Sequence, residues 1–316
     1  MRRVALTGVG AHRPAHREDN TAICERIGST DEWIRERSGI VTRGVAAPDE
    51  TVVEMAASAG GKALAAAGVA PGDVDLVLLA TCSMPGPLPG GSPAVAARLG
   101  ATSAGASDIG AGCAGFTYAL ALAADSIRAG SSRTVLVTAS ERLLDMVDHD
   151  DRGTAFLFGD GAGAAVVQAV AGDGPDGVGP VVWLHDGAQA GLLEIRGTPL
   201  RLAMEGRAIY RWATTALPSV ARKACERAGL EVSDLAAFVP HQANLRITES
   251  LVKSLKLSDA VVVARDVVDS GNTSAASVPL ALARLVEGGE VSTGDPVLLL
   301  GFGAGLTAAG QVVRCP

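Results

Sequence analysis

Short apolar runs alternate along this chain with longer segments in which alanine and leucine recur at helical spacing. The runs Leu76–Leu79, Thr134–Val137 and Val297–Leu300 are flanked by polar or turn-forming residues, which is typical of strands buried in a sheet. The alanine-rich segments between such runs predict helices that pack on the sheet. Because strands alternate with helices, the pattern predicts mostly parallel sheets covered by helices, which is an α/β fold.

The second part of the chain repeats the order of helices, turns and strands that the pattern predicts for the first. Ala67-Gly68, which precedes a predicted strand, recurs 161 residues later as Ala228-Gly229 before another strand. A loop of small residues that leads into an apolar helix also occurs twice, at 108–115 and at 269–276. Two matches at nearly the same offset indicate an internal duplication.

The duplication predicts two packed α/β units, 1–172 and 173–316. The segment 171–180 between them is rich in glycine and proline with one short apolar interruption, which is typical of a surface connection. Since functional loops of duplicated halves usually converge at the interface between them, we expect the two small-residue loops to face each other.

Composition narrows the class of protein. The chain has 316 residues, 48% of them hydrophobic, and a formal charge of −7 without a block of like charges, so nothing favours nucleic acid or an anionic membrane as partner. No apolar run approaches the ~20 residues of a spanning helix, and we expect a cytoplasmic protein. The five widely spaced cysteines form no CxxC pair, which argues against a disulfide framework and against a metal site.

Three glycine-rich stretches could be taken for nucleotide-binding loops. Gly8-Val9-Gly10 lacks the third glycine of the dinucleotide motif. Gly159–Gly163 follows a strand-like Phe156–Phe158 but continues into β-branched residues, which favours a hairpin over a phosphate loop. Gly301–Gly305 follows a predicted strand and could supply a backbone amide to an oxyanion hole. With no Walker motif in the chain, the sequence predicts no nucleotide cofactor.

Cys113 lies directly before Ala114–Leu122, a segment with the composition and length of a helix. A sulfur at a helix N-terminus lies near unpaired amides and the positive end of the helix dipole. Both effects lower the pKa of a thiol and produce a nucleophile near neutral pH. A buried, inert cysteine explains the spacing equally well, since free cysteine is among the most buried residue types.

His241 and Asn272 are the other candidates for chemistry. His241 follows a short strand within Pro240–Asn244, and strand ends in parallel sheets are where ligands bind. A hydrogen-bonded structural histidine is the simpler interpretation when His241 is taken alone. Turn formation and helix capping also explain Asn272, but the repeat places it at the loop position that carries Cys113 in the first half.

Several motifs of this chain occur together in one known family. They are Asp31–Ile34, Arg37–Ile40, Gly112–Phe116, Phe158–Gly163, Pro240–Asn244 and Gly271–Ser277. In this order they resemble β-ketoacyl-acyl carrier protein synthase III of type II fatty acid synthesis, over essentially the whole chain. The resemblance implies the thiolase fold, five layers αβαβα from two duplicated halves, and a homodimer. It implies an acyl-CoA and malonyl-acyl carrier protein as substrates and no cofactor.

The resemblance also implies a two-step reaction. Cys113 would accept the acyl group of the acyl-CoA, and decarboxylation of malonyl-acyl carrier protein would give an enolate that attacks the acyl-enzyme. His241 and Asn272 would donate hydrogen bonds to the enolate oxygen, whereas the amide of Cys113 and one amide of Gly303–Gly305 would bind the oxyanion of the tetrahedral intermediate.

Further roles follow from matching positions in the family. The residues implied in binding CoA and its pantetheine arm are Trp33, Arg37, Arg152, Gly206 and Asn244. Leu88, which would reach across the dimer, and Phe302 are implied in the acyl pocket. The basic residues implied in docking the carrier protein are Arg211, Arg246, Lys253 and Lys256. For each of these charges taken singly, an ordinary solvated helix face is an equal alternative.

Three departures from the family bear on substrate choice. Leu88 stands where the family often has phenylalanine, so we expect a different pocket floor. Cys82 stands where threonine is common, and we interpret it as a packing residue. The stretch from Trp183 to Arg201 is shorter than the usual insertion, which affects the rim of the pocket.

Other functions remain open at this point. A hydroxymethylglutaryl-CoA synthase would need a carboxylate near Thr81–Ser83, and the sequence places none there. A chalcone synthase-like enzyme shares the Cys, His and Asn but has a longer chain. A starter-unit synthase or acyltransferase of polyketide metabolism would keep the same residues, and a catalytically silent partner subunit is the alternative from another class.

Overall fold

The computed structural model describes residues 2–172 and 174–316. Its strands are β1 (Arg3–His12), β2 (Arg17–Asp19), β3 (Thr42–Gly44), β4 (Leu76–Ala80), β5 (Gly105–Ile109), β6 (Thr134–Glu141), β7 (Gly161–Val170), β8 (Val182–His185), β9 (Leu193–Arg196), β10 (Arg201–Met204), β11 (Ala237–Pro240), β12 (Val262–Val263), β13 (Pro296–Gly303) and β14 (Thr307–Arg314). Its helices are α1 (Thr21–Ile27), α2 (Asp31–Ser38), α3 (Val52–Ala67), α4 (Ser92–Leu99), α5 (Gly115–Ala129), α6 (Gly206–Arg227), α7 (Leu245–Leu255), α8 (Val267–Ser270) and α9 (Ser277–Glu287).

Two five-stranded sheets have the same topology. The first has the strand order β5-β4-β6-β7-β1 and the second the order β12-β11-β13-β14-β8. In each sheet the first two neighbouring pairs are parallel and the last two are antiparallel. The matching topology confirms the duplication that the repeat predicts.

Both sheets are mixed, so the prediction of mostly parallel sheets is wrong for the last two strands of each. The connections between strands explain the difference. A short hairpin at 304–306 joins β13 to β14, and the segment 142–160 between β6 and β7 forms turns and a short 3₁₀ segment instead of an α-helix. A parallel pair needs a long crossover, usually a helix, whereas a chain that turns back directly pairs antiparallel.

The helices form three layers around the two sheets. α3 and α4 cover the outer face of the first sheet, α6 and α7 cover the outer face of the second, and α5 and α9 lie between the sheets. One continuous core joins side chains of both sheets to the two central helices. This is the five-layer αβαβα arrangement of the thiolase fold.

The apolar pattern explains which helices are central. Nine of the 15 residues of α5 and eight of the 11 residues of α9 are buried, and a helix that is apolar on most sides is stable when it is enclosed. α7 instead buries one face through Ile247, Leu251 and Leu255 and exposes its charges. The central position of α5 and α9 brings the loops before them to the middle of the molecule.

Most of the described residues of the segment 171–180 are exposed, as expected of a surface connection, but its apolar interruption at Gly177-Val178 is buried. Val178 is fully buried, the Gly179 amide donates to the Val312 carbonyl at 2.8 Å, and the Arg314 amide donates to the Gly177 carbonyl at 2.8 Å. The apolar interruption is thus part of the core. The boundary between 1–172 and 173–316 stays a prediction, and Asp173 lies outside the described residues.

Candidate active site

Cys113 lies in a 3₁₀ turn, Gly112–Ala114, that leads directly into α5. The helix predicted after Cys113 is therefore present, and it begins at Gly115. The sulfur packs against Gly303 at the end of β13, where an added Cβ would stand 2.7 Å from the Cys113 Cβ. Only glycine fits there, because any side chain would collide with the cysteine.

Burial raises the pKa of the Cys113 thiol to about 11. Hydrogen bonds from the Ser274 hydroxyl and from the backbone amides of Cys113 and Ala304 lower it, and the nearby Glu141 carboxylate raises it further. The loss of hydration exceeds the stabilising hydrogen bonds, so the expectation of a thiol pKa lowered by the helix terminus is wrong. Within Gly303–Gly305, Ala304 supplies the amide that is directed at the sulfur.

His241 follows the last residue of β11 and is 2% exposed. Its Nδ1 lies 2.7 Å from Ser277 Oγ, which also accepts the Gln242 amide at 3.2 Å, and its ring meets the Phe302 ring edge-on at 5.0 Å. Burial lowers the pKa of His241 to about 3, so the imidazole is neutral near pH 7. The Ser277 hydroxyl can donate its proton to Nδ1, and in that tautomer Nε2 carries the ring proton.

Asn272 is fixed on both its backbone and its side chain. Its amide donates to the Leu157 carbonyl at 2.8 Å and its carbonyl accepts from Gly159 at 3.1 Å. Its Oδ1 accepts the Ser274 amide at 2.9 Å, so the side-chain NH₂ is the group left to donate. Asn272 lies before the 3₁₀ turn of its loop, Ser274–Ala276, whereas Cys113 lies within the corresponding turn of the first loop. Asn272 is therefore in the equivalent loop but not at the position equivalent to Cys113.

The strand expected at Phe156–Phe158 does not form. These residues lie in consecutive turns, and only Phe158 makes a single bridge, to Asn272. All three side chains are buried, which explains why an apolar triplet resembles a strand in the sequence. The following Gly161–Val170 is the long strand β7 and not half of a tight hairpin.

The three candidate residues converge on one cavity of about 280 Å³. Cys113, His241, Asn272 and Phe302 all line it. The hairpin β9–β10 supplies an apolar wall through Leu193, Ile195, Leu202 and Met204, which are the inward-facing positions of its two strands. The sequence predicts that the shortened stretch 183–201 changes the rim of the acyl pocket, and part of this stretch, Leu193 and Ile195, indeed lies in the cavity wall.

A wider cleft of about 920 Å³ leads from the cavity to the surface. The residues predicted to bind CoA and pantetheine all line it, namely Trp33, Arg37, Arg152, Gly206 and Asn244. The guanidinium carbons of Arg37 and Arg152 lie 4.6 and 5.0 Å from the centre of the Trp33 ring. Asn272 lines both the cleft and the cavity, so a long ligand can pass from one to the other.

Leu88 lies apart from this site. Its side chain is 86% exposed and does not line the cavity of its own chain. An exposed position is what a residue that acts across a dimer requires, so the predicted role of Leu88 depends on a second copy of the chain.

The predicted docking residues lie on one basic surface formed by two helices that pack side by side. Arg211 is on α6, and Arg246 and Lys253 are on α7; all are exposed. Lys256, expected within the helix, lies just beyond its end in the left-handed conformation, with φ of 56°. The guanidinium of Arg246 lies 5.6 Å from the Tyr210 ring, a favourable cation–π arrangement.

Sequence reasoning missed Glu141, the last residue of β6, which is completely buried. Its Oε2 accepts hydrogen bonds from the Ser83 hydroxyl at 2.6 Å, the Cys82 amide at 3.1 Å and the Thr81 hydroxyl at 3.2 Å. The expectation that no carboxylate lies near Thr81–Ser83 is therefore wrong. Glu141 does not line the cavity, because Cys82 and Ser274 lie between.

The structure also bears on metal sites and on membrane-spanning helices. Within residues 2–172 and 174–316, no group of three or more His, Cys, Asp or Glu side chains is placed to hold a metal ion. In the same part of the chain, no helix is both long enough and apolar enough to cross a membrane.

Comparison with known proteins identifies the family. The models of the two parts of 3-oxoacyl-[acyl-carrier-protein] synthase III match residues 107–187 and 225–315. The beta-ketoacyl-[acyl-carrier-protein] synthase III 4 of Streptomyces coelicolor is 53% identical over 311 residues, which cover 98% of each chain. The mycobacterial enzyme of Mycobacterium avium is 46% identical over 99% of this chain and 96% of its own.

Solved structures agree with this assignment. The priming β-ketosynthase of the R1128 polyketide pathway has a TM-score of 0.96 at 47% identity, over 100% of this chain and 97% of its own. The 3-oxoacyl-[acyl-carrier-protein] synthase III of Aquifex aeolicus has a TM-score of 0.92 at 35% identity, over 98% and 99% of the two chains. The chain therefore belongs to the 3-oxoacyl-[acyl-carrier-protein] synthase III family of thiolase-fold condensing acyltransferases.

Proposed function

We propose that this enzyme joins the acyl group of an acyl-CoA to malonyl-acyl carrier protein through an acyl-Cys113 intermediate. One observation carries the proposal. A sulfur, two backbone amides, a neutral imidazole and an amide NH₂ converge at the inner end of a single cavity. Such a set can form a thioester at one atom and stabilise negative charge on oxygen at two others.

In the first step, Cys113 attacks the carbonyl carbon of the acyl-CoA thioester. The amides of Cys113 and Ala304 lie close enough to the sulfur to lower the thiol pKa, which supports their assignment as the oxyanion hole for the tetrahedral intermediate. Backbone donors suit this role because they are fixed before the charge develops. The CoA sulfur then leaves and the acyl group stays on Cys113.

In the second step, malonyl-acyl carrier protein loses carbon dioxide, and the carbon of the resulting enolate attacks the acyl carbonyl. The new C–C bond replaces the bond to sulfur, so Cys113 leaves as a thiolate and the ketoacyl product stays on the carrier protein. His241 Nε2 and the Asn272 NH₂ are the donors proposed for the enolate oxygen. A neutral His241 supports this role, because a neutral donor stabilises the enolate without transferring a proton to it. Loss of carbon dioxide drives the step, and the reaction calls for no cofactor.

The cleft provides the proposed path for the thioester arm. Trp33 and Arg152 offer two flat faces for the adenine and Arg37 offers a cation for phosphate. Asn244 and Gly206 line the narrower part, where the pantetheine arm would lie. The Asn244 side chain is held there, since its Nδ2 donates to the Arg37 carbonyl at 2.9 Å.

Carrier-protein docking and dimer formation complete the proposal. The exposed cations Arg211, Arg246, Lys253 and Lys256 would bind an acidic carrier protein. A homodimer is supported by exposed Leu88 and by β5, an edge strand whose open backbone groups can pair with another chain. A cytoplasmic location is part of the proposal, because both substrates are cytoplasmic metabolites.

A priming role in polyketide synthesis is the second candidate. The similarity to the R1128 priming β-ketosynthase favours it. The chemistry would be the same, and the difference would lie in the acyl group that the apolar cavity accepts and in the carrier protein that docks.

Intact-mass spectrometry with a panel of acyl-CoAs tests both candidates. Each acyl-CoA is incubated with the pure protein, and malonyl-acyl carrier protein is then added from a fatty acid or a polyketide system. An adduct on Cys113 that disappears into ketoacyl product would support the condensing reaction and identify the starter. An adduct that persists would favour an acyltransferase, and no adduct from any donor would favour the silent-subunit alternative.

A further inference from the structure

Arg43, on the short strand β3, is a buried cation that the mechanism above does not use. It is 1% exposed and lines neither the cavity nor the cleft. Burial lowers the pKa of its guanidinium to about 10, so the group stays charged near pH 7. Among the described residues, Asn20 Oδ1 is the one hydrogen-bond acceptor for this guanidinium, and its Nε and Nη1 have none. A buried cation with a single neutral partner destabilises a fold, and such departures are expected mainly at functional sites.

The guanidinium end of Arg43 is tied to α2, the helix proposed to bind CoA. Its Nη2 donates to Asn20 Oδ1. The Asn20 NH₂ in turn donates to Asp31 Oδ1 at 2.7 Å and to the Ile40 carbonyl at 2.9 Å. Asp31 is the first residue of α2, and Ile40 follows shortly after its end. Asn20 therefore holds both ends of the helix, and Arg43 holds the side chain of Asn20.

The aliphatic stem of Arg43 supports the backbone around Asn272. A Cβ added at Gly271 or at Gly159 would stand 3.3 or 3.2 Å from the Arg43 Cβ, so the stem packs against both glycines. Gly271 directly precedes Asn272, and the Gly159 amide donates to the Asn272 carbonyl at 3.1 Å. The stem therefore packs against both backbone segments that fix Asn272.

The neighbours of Arg43 on β3 keep its side chain in this place. The Thr42 hydroxyl donates to the Asp269 carbonyl at 2.8 Å, which attaches β3 to the loop before α9. The Asp160 amide donates to the Gly44 carbonyl at 3.0 Å, which attaches β3 to the segment before β7. Because these bonds come from the residues just before and just after Arg43, the position of its stem is fixed relative to both segments.

We propose that Arg43 is a positioning residue that couples α2 to the enolate donor Asn272. Its guanidinium keeps α2 in the orientation that binds acyl-CoA, and its stem keeps Asn272 in the orientation that condensation requires. The inference rests on the proposed function, which assigns these roles to α2 and Asn272. Since the two ends of one side chain serve different steps, substitutions that remove one end or both separate the two effects.

Arg43→Met removes the guanidinium and keeps an unbranched stem. Asn20 then loses its partner, and α2 is held less firmly. The acyl-CoA concentration that half-saturates single-turnover acylation should therefore rise about five- to tenfold. Condensation of preformed acyl-enzyme with saturating malonyl-acyl carrier protein should stay within about threefold of the parent rate. An equal change in both steps, or no change in either, would overturn the proposal.

Arg43→Ala removes the stem as well and should affect both steps. The loop that carries Asn272 loses its support, and condensation should fall by about 10–100-fold, since a misplacement of about 1 Å can cost that much. If Arg43→Ala does not fold, Arg43→Val takes its place, because valine favours a strand and still shortens the stem. Condensation at the parent rate in the folded truncation would show that the stem has no such role.

A double-mutant cycle tests whether the stem acts through Asn272. Arg43→Ala, or Arg43→Val in its place, is combined with Asn272→Ala, and condensation is compared with that of the single variants. If the stem positions Asn272, the combination should lose less than about twofold beyond Asn272→Ala alone. Losses that multiply would mean that the stem acts elsewhere, and they would contradict the proposal.

Arg128→Ala is the control for a general loss of stability. Arg128 also packs partly buried and hydrogen-bonds to Asp176 at 2.8 Å, but it lies at the far end of α5 from Cys113. Its removal should lower the denaturant midpoint while both steps stay within about twofold of the parent. If Arg128→Ala changes the two steps as the Arg43 variants do, those changes report stability and the proposal fails.

Isothermal titration with CoA gives an independent readout. The Kd of CoA should rise about five- to tenfold in Arg43→Met and stay at the parent value in Arg128→Ala. A parent-like Kd in Arg43→Met would refute the coupling to α2. If the parent enzyme forms no adduct at Cys113, the proposed function fails and the inference with it; if the parent condenses normally and the Arg43 variants match it, only the inference fails.

Discussion

The loop before α5 and the loop before α9 descend from the same unit, and they have acquired different chemistry. α5 begins at Gly115 and α9 at Ser277, each directly after a 3₁₀ turn, and the turns start with residues of nearly equal φ, Gly112 and Ser274. The first loop supplies the Cys113 sulfur, which we propose as the nucleophile. The second supplies the Asn272 amide and the Ser274 hydroxyl.

The comparison shows how duplication can separate two tasks. Both loops lie at the N-terminus of a central helix and so reach the same cavity from opposite halves. In the proposed mechanism the first loop accepts the acyl group, and the second loop, with His241 at the end of β11, stabilises the enolate. The shared scaffold thus fixes the positions of the two loops relative to each other, so that both proposed steps can occur in one cavity.

Replacement of the nucleophile should have the largest effect. Cys113→Ala should reduce acyl transfer by about 1,000-fold or more, because it removes the thiol proposed to form the thioester. The other thiol that lines the cavity, Cys82, is a poorer nucleophile, since burial and the neighbouring Glu141 raise its pKa. Acyl-CoA turnover and intact mass are the measurements, and thermal unfolding is the control for the fold. Residual activity near the parent level would mean that the first loop does not carry the nucleophile.

Loss of the enolate donors should affect only the second step. We expect His241→Ala and Asn272→Ala to form the acyl-enzyme at a rate within several-fold of the parent, while condensation falls by roughly 10²–10³-fold. Acylation and condensation are measured separately by stopped incubation and mass. An equal loss in both steps would contradict the division of tasks between the loops.

The buried imidazole of His241 should make the free energy of unfolding decrease as the pH falls. The pKa of His241 is about 3 in the folded protein and about 6.5 when unfolded, so between these values only the unfolded chain binds the proton. The parent should therefore lose stability relative to His241→Gln as pH falls from about 6.5 toward 4, by up to about 1.4 kcal/mol per pH unit. Denaturant unfolding at several pH values measures the difference, and parallel curves would show that His241 is not buried as a neutral group.

The smallest expected effect is on the free energy of unfolding and concerns Gly112 and Ser274, whose backbones have positive φ. Gly112→Ala should cost about 1–2 kcal/mol in the free energy of unfolding, because φ of 49° is strained for alanine. Ser274→Gly should be less destabilising than Ser274→Ala by about 1 kcal/mol, since both lose the hydroxyl but only glycine removes the strain. If the two Ser274 variants unfold at the same denaturant concentration, backbone strain does not distinguish the two loops.

The sequence by itself determined the repeat, the α/β class and the positions of Cys113, His241 and Asn272. These features are local or periodic. Buried strands are continuous apolar runs, central helices are apolar on most sides, and chemistry-bearing residues follow strand ends or precede helices. Apart from the repeat, which appears when segments 161 residues apart are compared, each can be read within a window of about a dozen residues. None of them requires knowledge of contacts in space.

Only the tertiary structure decided the rest. The direction of β7 and β14 depends on how the chain turns back, the thiol pKa depends on how deeply packing removes Cys113 from water, and Val178 joins the core although its surroundings are rich in glycine and proline. Glu141 is the clearest case. It ends a strand and resembles a solvent-facing terminus, but its partners come from a loop some 60 residues earlier and from Ser274 in the other half. Contacts between such distant residues follow from packing the two halves together, and sequence spacing does not encode them.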